Sequence, residues 1–142
     1  MYAPHTVTVY SPVEDPVTFE VTQHITVLRG VLMDASKASN VRTSGLEGAD
    51  SVNLFIPFSV KAADGVSLMD KTYVNPKEFE SAADKNGLWT LRIGDFFVKG
   101  EVVEDNDFQY INANYDDVYR ITKVDKKDFG SESMLHWEVG GA

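Results

Sequence analysis

Apolar and polar residues alternate with period two along most of the chain, the signature of half-buried β-strands. His5-Thr-Val-Thr-Val-Tyr10 alternates in this way, and Ser11-Pro12 and Asp15-Pro16 then punctuate a turn. Val17, Phe19 and Val21 share one phase, and Thr18, Glu20 and Thr22 the other. A longer strand is predicted over Gln23 to Met33, with Gly30 marking a bulge or a bend inside it. In Ser51 to Val60, Pro57 withholds a ladder donor, so this stretch should lie on a sheet edge or be bulged. Leu88 to Arg92, Phe96 to Val103, Phe108 to Ile111, Asp117 to Val124 and Met134 to Val139 complete about eight strands.

One segment breaks the β pattern. Asn75-Pro76-Lys77-Glu78 combines an Asn cap, a proline at the first helical position and an acid at the third. Phe79, Ala82 and Ala83 then share a helix face, and Gly87 is the expected stop. Asn86-Gly87, Ile93-Gly94-Asp95 and Phe129-Gly130-Ser131 separate apolar runs as hairpin turns do, and Trp89 to Val98 reads as one hairpin. The predicted fold is therefore mostly β: one small β-barrel or sandwich spanning residues 1–142, with a short helix over about 76–85. Asp34 to Asp50 is the exception, a long polar loop whose only large apolar residues are Val41 and Leu46. Loops beyond about 12–15 residues are uncommon in compact domains, and are functional or disordered when they occur. Read as a surface excursion the loop has no role. Read as a segment ordered against a partner, it offers Lys37, Arg42 and Glu47 for pairing across an interface.

Composition narrows the chemistry more than it names it. The chain of 142 residues has 22 acidic and 13 basic residues, three histidines and no cysteine. The lack of cysteine removes disulfides, thiolate metal sites and thiol catalysis. The formal charge of −9 argues against an extended hold on nucleic-acid phosphates. No run approaches the ~18 apolar residues of a membrane helix, and the N-terminus lacks the basic and apolar regions of a signal peptide. Synthesis in the cytoplasm is the expectation. The charge is uneven: residues 1–50, 51–100 and 101–142 carry −3, 0 and −6. Glu101, Glu104, Asp105, Asp107, Asp116 and Asp117 concentrate it, either as a solvated face or as a surface that selects a basic partner. Glu104, Asp105 and Asp107 join Lys37, Arg42 and Glu47 as candidate interface residues.

A catalytic constellation is harder to find. His5, His24 and His136 stand far apart, and His136 shares a strand face with Glu138, the arrangement of a structural pair. Gly130-Ser-Glu-Ser133 is not the nucleophile elbow of a hydrolase, which needs Gly-x-Ser-x-Gly at a strand-to-helix turn. Asp105-Asn-Asp107 and Asp116-Asp117 lack the frame of a calcium loop. No phosphate loop is present, and the aromatics fall on apolar strand phases with no basic rim. No catalytic residue, metal ligand or cofactor is assigned.

The order of several short motifs is more telling. Leu28-Arg-Gly-Val31, Ala49-Asp-Ser-Val52 with Ile56-Pro57, and Tyr73-Val-Asn-Pro-Lys-Glu-Phe79 follow one another. Trp89-Thr-Leu-Arg-Ile-Gly-Asp95, Phe97-Val-Lys-Gly100, Ile121-Thr-Lys-Val-Asp125, Gly130-Ser131 and Leu135-His-Trp-Glu-Val139 come next. From Leu28 to Val139 this order resembles small proteins of the head–tail junction clusters of long-tailed phages and Firmicutes prophages. The likeness is to head-closure (stopper) and head–tail joining proteins. It implies a small β-barrel subunit with an inserted loop and a short helix, assembled as a ring beneath a portal. It also implies contacts with portal, adaptor or tail proteins, residence in the virion, and a subunit that is monomeric alone and assembles on a template. The loop 34–50 would then reach a neighbouring subunit or the channel. No apolar docking patch stands out in the sequence. The alternatives are a tail-terminator or minor capsid component, a carbohydrate- or peptide-binding β module using Trp89, Trp137 and Tyr119, and a hydrolase using His136 and Glu138.

Overall fold

A computed structural model describes residues 3–36, 51–65, 67–131 and 134–142. Strands β1 (His5–Glu14) and β2 (Val21–Ser36) form a long antiparallel hairpin, with Tyr10 opposite Ile25 and Glu14 opposite Val21. They are followed by β3 (Ser51–Pro57), β4 (Lys61–Asp64) and β5 (Thr72–Tyr73). Helix α1 (Pro76–Ser81), β6 (Leu88–Trp89), β7 (Phe96–Lys99) and helix α2 (Phe108–Asn114) come next. Strands β8 (Val118–Lys127) and β9 (His136–Gly141) end the chain. Seven strands make one sheet in the order β1-β7-β8-β9-β3-β2-β4, and β5 and β6 pair in parallel beside it.

Two strands bend this sheet into a sandwich-like shape. Gly30 sits at φ +92°, and the partners of β2 change there. Residues Thr26 to Arg29 lie between β1 and β4, whereas Leu32 to Ser36 pair with β3. Likewise β8 pairs with β7 through Val118 to Arg120 and with β9 from Ile121 onward, across a register shift at Ile121/Lys123. Strands that change partners at bends are how a sheet turns a corner and covers its own apolar face. The bulge or bend expected at Gly30 is therefore the corner of the fold.

Both faces of β1 and β7 are buried. Val7, Val9 and Phe97 point into the main core with Leu28, Leu54, Ile56, Ile121, Trp137 and Val139. Tyr10, Phe96 and Val98 point the other way, into a second cluster closed by Val102 and by Ile111 of α2. Thr8 lies on that second face, and its hydroxyl donates to the Gly100 carbonyl (2.8 Å) and accepts from the Val102 amide (3.0 Å). Its polar group is thus satisfied where water is excluded.

Several local expectations give way to these contacts. There are nine strands and two helices among the described residues. Phe108 to Ile111 is helix and not strand, because Asp107 caps it by accepting from the Tyr110 amide (2.9 Å) while Ile111 closes the second core. Helix α1 starts as predicted, with Asn75 accepting from the Glu78 amide, but ends at Ser81, where Ala82 turns extended. Gly87 is not left-handed, and its carbonyl accepts from Thr72 instead. Strand Leu88 to Arg92 shortens to Leu88–Trp89, and Phe96 to Val103 ends at Lys99, before Gly100 at φ +98°. The hairpin expected over Trp89 to Val98 does not form. Gly94 and Asp95 bond to Ile121 of β8 (2.9 and 2.7 Å), so this segment crosses to another strand. Asp34 to Ser36 of the expected loop belong to β2, and residues 37–50, with Lys37, Arg42 and Glu47, lie outside the described residues.

Candidate functional site

The aromatics that a carbohydrate- or peptide-binding module would use are interior. Trp89, Trp137 and Tyr119 are 3%, 5% and 2% exposed. Trp137 packs against Phe58, Tyr73 and Trp89 at centroid distances of 4.4, 4.5 and 5.7 Å. A base or sugar therefore has no face of these rings to stack on. His136 forms the pair expected of a strand histidine: Nε2 lies 3.8 Å from Glu138, and Nδ1 contacts the Met134 carbonyl at 2.7 Å. His5 accepts the Met33 amide at Nδ1 (3.0 Å) and holds the start of β1 to β2. Among the described residues no group of three or more His, Asp or Glu is placed to hold a metal ion, and no helix is long and apolar enough to cross a membrane.

The acidic stretch divides into separate tasks. The Glu104 carboxylate accepts from the Tyr115 hydroxyl (2.6 Å), and its backbone carbonyl accepts from that of Tyr10 (2.7 Å). Burial first, and then the negative groups around it, raise the Tyr10 pKa far above the usual tyrosine range. Asp107 is the α2 cap, and Glu101 pairs with Arg29 (2.9 Å). Asp105 is exposed and lines a pocket with His24, Asp64 and Lys71. Glu104 and Asp107 thus hold the α2 segment on the sheet as well as lending it charge.

A pocket of about 510 Å³ lies between the β5–α1–β6 segment and β8. Tyr73, Leu91, Ile93 and Val124 give it apolar walls, with Glu80, Arg92 and Asp95 along one side. Arg92 is the tether there: Nε donates to Asp95 (2.9 Å), one terminal nitrogen donates to the Pro12 carbonyl (2.8 Å), and the other lies 3.6 Å from Glu80. Burial raises the Asp95 pKa and the Arg92 contact opposes that shift. With its guanidinium occupied by these partners, Arg92 joins α1, β1 and the start of β7, a structural role that sequence spacing did not reveal.

His24 is wedged on the other side of α1, edge-on to Phe79 at 5.6 Å. Burial lowers its pKa, and the positive charges of Lys71, Lys85 and Arg92 lower it further, against Asp105. Lys71, also lowered by burial, donates to the Ile25 carbonyl (2.8 Å) and the Thr26 hydroxyl (3.1 Å). As pH falls below 6.5, the usual value for histidine, the unfolded chain takes up a proton that folded His24 resists. Stability contributed by neutral His24 is present above that value and is lost as pH falls through the folded pKa. Urea unfolding at stepped pH should show wild type losing stability relative to His24→Gln below pH 6.5. A pH-independent difference would contradict this linkage.

Two turns of the fold expose apolar side chains. Val17, Phe19 and Val21 at the β1–β2 turn are 82%, 71% and 56% exposed, and Phe129 and Met134 beside the β8–β9 turn are 71% and 61%. Strands β1 and β8 run in the same sense, since each is antiparallel to β7, so both turns leave the sheet at the same end. The alternating phase of Val17 and Phe19, which looked like a strand, belongs instead to a hairpin tip.

A family model described as Family of unknown function (DUF6751) matches residues 2–142, and the chain belongs to that family. No curated protein and no solved structure matches the chain.

Proposed function

We propose that this chain is a non-enzymatic structural subunit of the head–tail connector of a long-tailed phage or prophage, of the head-closure type. It acts through ring assembly and interface contacts. The observation that carries this reading is the pair of hairpin tips with exposed apolar residues at one end of a well-packed sandwich. Single exposed apolar residues are ordinary on a protein surface, whereas grouped ones mark contact sites. These tips carry five of the large apolar residues that the fold exposes, Val17, Phe19, Val21, Phe129 and Met134. The motif order from Leu28 to Val139 supports the choice of a connector. A tail-terminator or minor capsid role uses the same surface, and gene order beside a portal or a major tail protein separates the two.

Sedimentation of phage particles, tails and assembly intermediates with antibody detection of this chain tests the proposal. Recovery in particles or in a head–tail intermediate is expected. Its absence from all three fractions would overturn the connector role.

A further inference from the structure

Helix α1 is fastened to the sheet by one buried side chain. Phe79 is its only buried residue, and a helix of six residues is too short to persist unaided. The flanking strands β5 and β6 pair with each other and stand apart from the seven-stranded sheet. The Thr72 and Val74 amides donate to the carbonyls of Gly87 (2.8 Å) and Trp89 (3.0 Å), which closes residues 75–86 into a loop on a paired base. Tyr73 and Trp89 hold that base in the core against Trp137. Beyond the base, α1 is held down by Phe79, with the long Glu80–Arg92 contact (3.6 Å) beside it.

Positive charge flanks Phe79. Lys85 Nζ and the Arg92 guanidinium lie 5.8 and 5.4 Å from its ring centroid, and the His24 ring meets it edge-on at 5.6 Å. Lys71 Nζ is bonded to the Ile25 carbonyl, one residue from His24. All three cations are pinned: Lys85 donates to the Ala82 carbonyl (2.6 Å), Lys71 also to the Thr26 hydroxyl, and Arg92 to Asp95 and the Pro12 carbonyl. The carboxylates near His24 are looser neighbours. Asp64 and Asp105 share with it the depression on its Lys71 side, and Glu14, Asp15 and Asp84 share the one on its Lys85 side. Among the described residues none of them forms an ion pair with the His24 ring, whereas Glu138 does so with His136. Both depressions border His24, so protons from solvent reach it.

We infer that α1 is an acid-released strap: a proton on His24 sets a fourth positive charge among Lys71, Lys85 and Arg92, expels Phe79, and frees residues 75–86 while the sheet stays folded. Burial and the three cations already hold the His24 pKa below its ordinary 6.5, with Asp105 opposing them. Once Phe79 leaves, the imidazole is hydrated and Lys85 departs with the loop, so the open form binds the proton more readily than the closed one. The closed strap is therefore favoured above pH 6.5 and is lost as pH falls through the His24 pKa of the closed form. Pro76 and Glu80 wall the pocket on one side of α1, and Ala83 to Asn86 wall the depression on the other, so release merges the two. The stability linked to His24 requires only that unfolding admit the proton; the strap requires that a local opening admit it. The connector role is not a premise of this device.

Residue-resolved amide exchange, read as protection factors, separates local from global opening. The Phe79 and Ala82 amides are bonded within α1 and its cap, to the Asn75 and Glu78 carbonyls, and lose those partners when the strap opens. Between about pH 7.5 and about pH 5.5 their protection should fall by up to about tenfold, as one proton taken up below pH 6.5 allows. They should exchange well ahead of the amides of β1 and β7. His24→Gln should abolish the pH dependence, whatever its protection at neutral pH. Lys85→Met removes one repelling charge and should move the loss of protection to lower pH. Strap and sheet amides exchanging at a common rate, or wild-type protection that stays level over this range, would overturn the strap. So would a pH-dependent loss that survives in His24→Gln or is unmoved by Lys85→Met.

Discussion

Trp89→Ala should lower stability by about 3–5 kcal/mol, the range for truncating a large buried aromatic. Trp89 stands edge-on to Tyr73 (5.1 Å) and to Trp137 (5.7 Å), where the two-stranded β5–β6 sheet meets the main core. Removing the indole leaves a cavity lined by rings that cannot collapse without moving the backbone of β6, so the transfer and cavity penalties add. For a chain of this length the loss corresponds to a fall in melting temperature of about 10–15 °C. Thermal unfolding followed by circular dichroism measures it, and equal melting temperatures would refute the core position of Trp89. Wild-type fluorescence should also resist iodide quenching, since both tryptophans are shielded.

Asp95→Ala is expected to cost about 3 kcal/mol, as breaking a buried ion pair from one side does. The Arg92 side chain is only 16% exposed, and its Nε would lose the carboxylate that now accepts its proton at 2.9 Å. The same change loosens the junction that Arg92 makes with Pro12 and Glu80, so the opening of the β5–α1–β6 segment should become easier. The double variant Arg92→Leu/Asp95→Leu should recover most of the loss, because no buried charge is then left without its partner. A urea-denaturation double-mutant cycle reads this coupling. Additive effects of the two single changes would show that the pair acts as two independent groups.

The difference between the legible and the illegible parts of the fold lies in the range of the interactions. Asn75 before Pro76 announced the start of α1, because a cap and its amide are three residues apart. Gly130, at φ +95° in the β8–β9 connection, was legible for the same reason: a tight turn demands its glycine locally. Helix α2 was missed although Asp107 offers a comparable cap. Phe108, Tyr110 and Ile111 fit a short strand as readily as two helical turns, and only the second core chooses between them. The Trp89–Val98 hairpin failed because Ile121, distant in sequence, competes for the backbone groups of Gly94 and Asp95.

The candidate interface shows a similar division. Glu104 and Asp107 were visible as acids, but their contacts with Tyr115 and with the α2 amides are geometric facts. Phe19 was visible as an apolar residue in strand phase, and only the turn geometry set it in solvent at a positive φ.

By itself the sequence determined a mostly β chain, the bend at Gly30, the start of α1 and the absence of thiol chemistry. Each follows from residue type or from spacings of a few positions. The tertiary structure decided which strands pair, that β1 and β7 are buried on both faces, and that the apolar turns emerge at one end. A period of two tells which residues share a face but not what covers that face. Partners and exposure come from contacts between residues far apart in the chain, and those exist only once the sheet has turned its corners at β2 and β8.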